Sequence, residues 1–226
     1  LEFRRVLFRS GFAGDFQWGP INEITMISTE GDLVRHFGKP NESTFKSWFT
    51  AANFLAYGSN LRLIRTANVN TTKNATDGNT AILIKTQDQY EHDYKGTEAE
   101  NFYGMFAARY AGDLGNSIKV SLWANTTNTT AWSNWQYASA FNGQPGTSSY
   151  ASNKGASRDE MHIIVIDQQG KITGTPGTVL EKFAYISKAS DAKNTDGTSN
   201  YYIDVVNDRS EFIYILNHAQ DATFAA

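Results

Sequence analysis

Apolar residues recur along the chain at two spacings, and the spacings divide it into elements. Phe12 and Phe16 stand four apart among glycines and polar residues, which predicts a strand over 11–17 with both rings on one face. Trp18-Gly19-Pro20 ends it in a turn, and a short strand is expected over 23–27. Thr29 and Asp32 have capping-box spacing ahead of Leu33, Val34 and Phe37, so a short helix is expected to begin there. Gly38 stands where a left-handed C-cap belongs, and Pro40 blocks continuation. A second helix follows, N-capped by Asn41 or Ser43. Phe45, Trp48, Phe49, Ala52 and Leu55 form its single apolar stripe, and Gly58 closes it. Residues 61–66, LRLIRT, are expected to be a strand. The order strand–strand–helix–helix–strand predicts an α/β unit around a buried sheet.

Beyond it the pattern changes. Residues 67–80 are dense in Asn and Thr and predict a loop; 81–85 predict a buried strand. A helix is expected over 98–110, where Phe102, Met105, Phe106 and Tyr110 share a face, Glu98 and Glu100 lie in the first turn and Arg109 in the last. Gly112 to Asn116 form a turn that opens a strand over 117–124, with Ile118, Val120 and Leu122 on one side. Residues 125–160 are a polar, glycine-rich excursion studded with aromatic residues. Strands are expected over 161–167, 178–187, 201–207 and 212–216, with a turn at 168–170 and a loop at 194–200. There is no internal repeat. The predicted class is α+β, mixed sheets with flanking helices.

Composition narrows the function classes. The 226 residues are 40% hydrophobic and 13% aromatic, too apolar for a disordered chain. The net charge of -3 and pI near 5.8 do not suggest a grip on nucleic acid or an anionic membrane. No apolar run reaches the ~20 residues that span a bilayer. The absence of cysteine excludes disulfides, thiolate metal sites and a cysteine nucleophile.

The candidate chemistry is thin. The chain has no G-x-x-x-x-G-K-[ST], H-E-x-x-H or G-x-S-x-G motif. His36, His92, His162 and His218 are scattered, without the spacing of a zinc site. Gly112-x-x-Gly115 beside Ser117 is read as following a helix and opening a strand, the reverse of a phosphate loop. Asp191, Asn194, Asp196, Gly197 and Ser199 depart from calcium-loop spacing and predict a β-turn. Asp167 ends a strand without the glycine fingerprint of a dinucleotide site. Catalytic, cofactor-binding and metal residues are therefore expected to number none. Sequons at Asn41, Asn70, Asn74, Asn125 and Asn128 are expected in solvated loops. Trp123, Trp132, Trp135, Tyr137 and Phe141 leave several readings open: stacking on sugar rings, anchoring the excursion, or packing on a neighbour. They sustain the alternative of a glycan-binding, adhesin-like β module.

Residues 1–10, LEFRRVLFRS, match the translation of a widely used sequencing-library adapter and are expected to stand outside the fold and make no stable contacts with it. A natural basic arm is the other reading. Without Glu2, Arg4, Arg5 and Arg9 the remainder has a net charge near -5.

From Gly11 to about Leu216 the sequence resembles the tail sheath proteins of large contractile-tailed phages. The resemblance is carried, in order, by Gly11-Phe12-Ala13-Gly14-x-Phe16-x-Trp18-Gly19-Pro20, then Asp32-Leu33-Val34 with Phe37-Gly38-x-Pro40. Asn53-Phe54-Leu55-x-Tyr57-Gly58, Leu61-Arg62-x-Ile64-Arg65 and Gly112-x-Leu114-Gly115-Asn116-x-Ile118 follow. It implies an N-terminal sheath fragment in which 11–67 form an α/β unit of the core. On that reading, 68–97 are a short linker in place of a protruding insertion, and 98–226 a β-rich core segment truncated at its C-terminus. The family's N-terminal arm and C-terminal part are expected to be missing. The implied role is mechanical, with no catalysis and no cofactor. The implied partners are identical subunits in a helical sheath, the tail tube protein, and baseplate and tail terminator proteins, with no nucleic acid and no membrane insertion. The implied location is the virion tail, after assembly in the host cytoplasm. The lateral surfaces are expected to be polar and charge-complementary.

Overall fold

The computed structural model describes residues 10–95, 103–124 and 129–218. Its elements run β1 (Ser10–Asp15), β2 (Ile24–Ile27), α1 (Glu30–Phe37), α2 (Phe45–Leu55), β3 (Leu61–Thr66), α3 (Gln87–Asp93), β4 (Phe106–Ala108) and β5 (Ile118–Ala124). Then come α4 (Thr129–Asn134), α5 (Ser149–Asn153), β6 (Glu160–Asp167), β7 (Thr178–Ser187), α6 (Tyr202–Arg209) and β8 (Ile213–Ile215). Three small sheets result, ordered β1-β3-β2, β4-β8 and β5-β6-β7. The class is α+β, as expected.

The first sheet follows from alternation in β3, whose Leu61, Leu63 and Arg65 are buried while Arg62 and Thr66 are exposed. β1 pairs with it in parallel and β2 antiparallel. A parallel pair needs a crossover, which β2, α1 and α2 supply. The capping box forms: the Asp32 amide donates to Thr29 Oγ1 at 3.0 Å, and the Ser28 amide to the Asp32 carboxylate at 3.3 Å. Gly38 ends α1 at φ +76° and ψ −178°, so the positive φ is present but the left-handed helical ψ is not. Neither Asn41 nor Ser43 is the N-cap of α2, a position that Thr44 fills. Asn41 Oδ1 instead accepts from the Ser43 and Thr44 amides and shapes the turn ahead of the helix.

The α2 stripe divides. Trp48 and Ala52 enter a core with Ala51, Phe16, Ile27, Leu33, Phe37, Leu61 and Leu63. Phe45 and Phe49 remain 45% and 50% exposed on a flank of the helix. The expectation of a buried sheet also needs correction. The helices cover one face only, and on the other Ile24 and Met26 are 61% and 52% exposed.

Further expectations differ. Residues 106–108 are a strand paired antiparallel to β8, where a helix was predicted; the first residues of that span, 98–102, lie outside the described residues. Gly104 at φ +88° interrupts helical geometry, and pairing with Ile213–Ile215 overrides the apolar spacing. The Gly112 turn therefore follows a strand, not a helix. Residues 202–209 form α6, not a strand: Tyr202, Val205 and Val206 are buried at helical spacing, and their β-propensity yields to that packing. Residues 81–85 form only a single bridge, Ile82 to Asn74, though Ile82 and Ile84 are buried. α3, capped by Thr86 Oγ1 on the Gln89 amide at 3.1 Å, has no counterpart in the expected elements. Ser10 is part of β1, opposite Leu61, one residue inside the segment expected to stand apart; the others, 1–9, lie outside the described residues.

The second core lies between the β5-β6-β7 sheet, α6 and β8, built from Met161, Ile163, Val165, Phe183, Ile186, Tyr202, Val205, Val206, Ile213 and Ile215. β6 is central and almost wholly buried, which explains its unbroken apolar run. Among the described residues no helix is long and apolar enough to cross a membrane.

Trp48 is buried and donates from Nε1 to the Gly38 carbonyl at 2.9 Å. Trp48→Ala is expected to cost about 3–5 kcal/mol in urea unfolding. Phe49→Ala, at a half-exposed position, should cost about 1 kcal/mol or less.

Candidate functional site

Segments far apart in the sequence meet at one buried side chain. Arg65 projects from β3 toward the core and is 3% exposed. Its guanidinium donates to main-chain carbonyls: Nε to Phe16 at 2.8 Å, Nη1 to Gly19 at 2.8 Å, and Nη2 to Ala111 at 2.7 Å and Gln17 at 3.5 Å. Burial draws its pKa down to about 10, against the field of Asp15, so the group remains a cation at neutral pH. A charge taken out of water without such partners would be costly, so the planar fork and the carbonyls fix one another.

The surrounding residues make that geometry obligatory. Gly19 sits at φ +98°, and a Cβ there would lie 2.6 Å from the His36 carbonyl oxygen and 2.7 Å from the Phe37 ring. Gly112, at φ +131°, leaves room for the guanidinium, since a Cβ would stand 3.1 Å from Arg65 Nη2. Trp18 packs with Ala108 and Leu114 and meets Tyr110 edge-on at 5.2 Å. The site is a mechanical joint: Arg65 ties the first sheet to the 108–114 segment that leads from β4 to β5.

The aromatic residues of 123–141 form a second assembly, half-buried and packed on one another. Trp123 and Trp132 lie 5.8 Å apart, Trp132 and Trp135 5.5 Å, and Trp135 stacks on Phe141 at 5.6 Å. Phe141 in turn stacks on the buried His162 at 4.2 Å. The Tyr185 amide donates to His162 Nδ1 at 3.0 Å, which leaves Nε2 to donate to the Gly143 carbonyl at 2.9 Å. His162 is thus a neutral clasp holding the excursion against β6 and β7, and burial lowers its pKa. The rings pack on one another and on this clasp, so the sugar-binding alternative gains no support.

The remaining candidates resolve into structural roles. Asp167 accepts from Ser117 Oγ at 2.5 Å, the Ile172 and Thr173 amides at 3.0 and 2.7 Å, and Thr173 Oγ1 at 2.9 Å. Burial raises its pKa, but these bonds outweigh it and hold the carboxyl below the usual carboxylate range. Asp191 pairs with Lys154, while Asn194, Asp196 and Gly197 close a turn through Thr198. His218 meets the Tyr201 and Tyr202 hydroxyls, and His36 lies beside Arg35. Among the described residues no His, Asp and Glu group could hold a metal ion. Asn74 is not in a solvated loop: it is buried, donates to the Ala108 carbonyl at 2.8 Å and accepts from the Ile84 amide at 2.7 Å. Asn125 and Asn128 lie outside the described residues. Sequence reasoning missed Arg65 as a hub; the signal available was a lone arginine on the apolar register of LRLIRT.

The chain is a relative of the phage tail sheath proteins. It is 31% identical over 176 residues to the tail sheath protein of Salmonella phage ViI, a match covering 77% of this chain and 25% of that protein. It is 48% identical over 73 residues to the tail sheath protein of Vibrio phage KVP40, covering 32% of this chain and 11% of the other. The chain therefore matches about a quarter of the first relative's length or less. A solved sheath tail protein from Listeria innocua shares 10% identity and a TM-score of 0.45, over 94% of this chain and 30% of that one. No protein-family model matches.

Two measurements probe the joint and the clasp. Arg65→Met orphans buried carbonyls in two segments and should destabilise by about 3 kcal/mol or more in denaturant unfolding. For His162 the unfolded ring takes up a proton first as pH falls. Its contribution is therefore complete above the ordinary value of 6.5 and declines as pH drops through 6.5 toward the lowered folded value. The urea midpoint should fall between pH 7 and pH 5, and His162→Gln should flatten that slope.

Proposed function

We propose that this chain is part of the structural subunit of a contractile phage tail sheath, which polymerises around the tail tube and shortens to drive the tube through the host envelope. The observation that carries the reading is the match to the ViI tail sheath protein over 77% of the chain. Within the chain, the 16–19 turn, β3 and Ala111 meet at Arg65. A sheath must deliver load between subunits without losing its own shape, and a cation bonded to several main-chain carbonyls serves that end.

On this reading the role is mechanical and not enzymatic. An open helical polymer uses heterologous contacts, and contraction exchanges one packing of identical subunits for another. The work comes from the difference in packing energy, with no nucleotide. The partners are further copies, the tail tube protein, and baseplate and tail terminator proteins; the location is the virion tail, after assembly in the host cytoplasm. Residues 11–67 would serve as the first α/β unit of the core, 68–97 as a connector and 98–226 as its β-rich part.

A chimera tests this. The matching segment of this chain replaces its counterpart in the ViI tail sheath protein, and negative-stain microscopy follows assembly. Tubes are expected from the chimera and not from the same chimera carrying Arg65→Met. The 226-residue chain alone is expected to stay monomeric in light scattering at micromolar concentration. A chimera that folds and stays soluble but never polymerises, under conditions where the parent does, counts against the sheath reading.

A further inference from the structure

Asn142 is the only asparagine in the chain that a glycine follows. Asparagine is chemically labile, and most so ahead of glycine, because no side chain then hinders the next main-chain nitrogen from reaching the carboxamide. Asn142 is exposed in a bend of the excursion, in neither helix nor strand. Among the described residues its carboxamide takes no hydrogen bond. The peptide plane that must turn, from the Asn142 carbonyl to the Gly143 amide, bonds at neither end.

Comparable steps elsewhere are closed by the fold. Ser117, which follows Asn116, is fully buried, with its hydroxyl bonded to Asp167. The Asp77 carboxylate accepts from the Phe106 amide at 2.9 Å, and Gly78 is packed so closely that a Cβ there would run into the Tyr103 main chain. Asp196 accepts from Thr198 Oγ1 at 2.7 Å and from the Thr198 amide at 3.0 Å. Those bonds hold it as a carboxylate, a poor target for a nucleophile.

The neighbours of Asn142 give the site a consequence. One imidazole holds both sides of it: Phe141 stacks on the His162 ring at 4.2 Å, and His162 Nε2 donates to the Gly143 carbonyl at 2.9 Å. Lys182 Nζ adds a bond to the Ala140 carbonyl at 2.9 Å. The main chain between these anchors has a fixed length.

We propose that Asn142-Gly143 is a self-modifying site, at which the chain rearranges its own backbone and releases the His162 clasp. The Gly143 nitrogen, losing its proton to solvent base, bonds to the side-chain carbonyl carbon of Asn142, and the carboxamide nitrogen leaves as ammonia. Water then opens the resulting cyclic imide at one of its carbon–nitrogen bonds. Cleavage at the side-chain carbon leaves an ordinary aspartyl residue. Cleavage at the main-chain carbon leaves an isoaspartyl residue, through whose side chain the backbone now runs, one bond longer. Nothing is oxidised or reduced, and water is the sole co-reactant. The lengthened chain can keep Phe141 on the ring or the Gly143 carbonyl on Nε2, but not both. The chemistry needs no partner, so it stands or falls apart from the sheath reading.

The 226-residue chain tests this directly. It is aged in mildly alkaline buffer while folded, and peptide mapping follows the exchange of carboxamide for carboxylic acid at each asparagine. Position 142 should change several-fold faster than any other. Gly143→Ala, whose Cβ would meet the Tyr185 hydroxyl at an ordinary 3.6 Å, should keep the fold and slow the change several-fold. The isoaspartyl form, separated by chromatography, should unfold at a lower urea midpoint. Its Tyr185 amide, which donates to His162 Nδ1, should exchange with deuterium several-fold faster. Freshly made Asn142→Asp adds the charge without lengthening the chain and should match the unaged protein in both measurements. A rate at 142 no greater than at other asparagines, or an isoaspartyl form with unchanged midpoint and exchange, would overturn the proposal. So would an Asn142→Asp chain as loose as the isoaspartyl form, since charge and not length would then be the cause.

Discussion

One buried guanidinium ties together parts of the chain that lie far apart in sequence. Arg65 could not sit on the inner face of β3 without acceptors, and the acceptors are backbone carbonyls whose positions depend on the turn at 16–19 and the segment at 111. Carbonyls, unlike carboxylates, do not titrate. The acceptors themselves therefore keep their role across the range in which Asp and Glu lose their charge. The joint is also directional, because the guanidinium fork is planar and each bond fixes an angle. The first sheet and the segment leading from β4 to β5 are held at one orientation by this group, with Trp18, Tyr110 and Leu114 packed beside it.

The second half uses the same device with different chemistry. Asp167 gathers the Ser117 hydroxyl and the 172–173 turn, Asp159 the Ser148 and Ser187 hydroxyls, and Asn207 bridges the Tyr90 hydroxyl and the main chain of Ile215. Each polar group is buried and bonded across long stretches of sequence. Such groups stabilise less than an apolar core of equal volume, but they make alternative packings costly, because any slip leaves donors or acceptors unpaired.

Local patterns were legible where they governed the outcome. The capping box of α1, the alternation of LRLIRT and the apolar run of β6 each decide structure within a few residues, and each element forms as expected. The failures share a cause. Phe106 to Ala108 and Tyr202 to Val206 carry apolar residues compatible with either period, and their state is settled by partners far away in the chain. The exposure of Phe45, Phe49, Ile24 and Met26 was equally illegible, since spacing shows which residues share a face but not whether anything covers it. The role of Arg65 needed the positions of carbonyls from separate segments, and carbonyls leave no mark on a sequence.

The pairing of β4 with β8 has a bearing on synthesis. Ala108 meets Ile213 across more than a hundred intervening residues. At roughly 5–20 residues per second, the ribosome leaves the first strand unpaired for on the order of ten seconds. β1 waits a shorter time for β3, whose Leu61 lies opposite Ser10. During that interval apolar strands stand open beside those of neighbouring nascent chains. A protein made in many simultaneous copies is therefore most exposed to mispairing while it is being translated, before any of its finished surfaces exist.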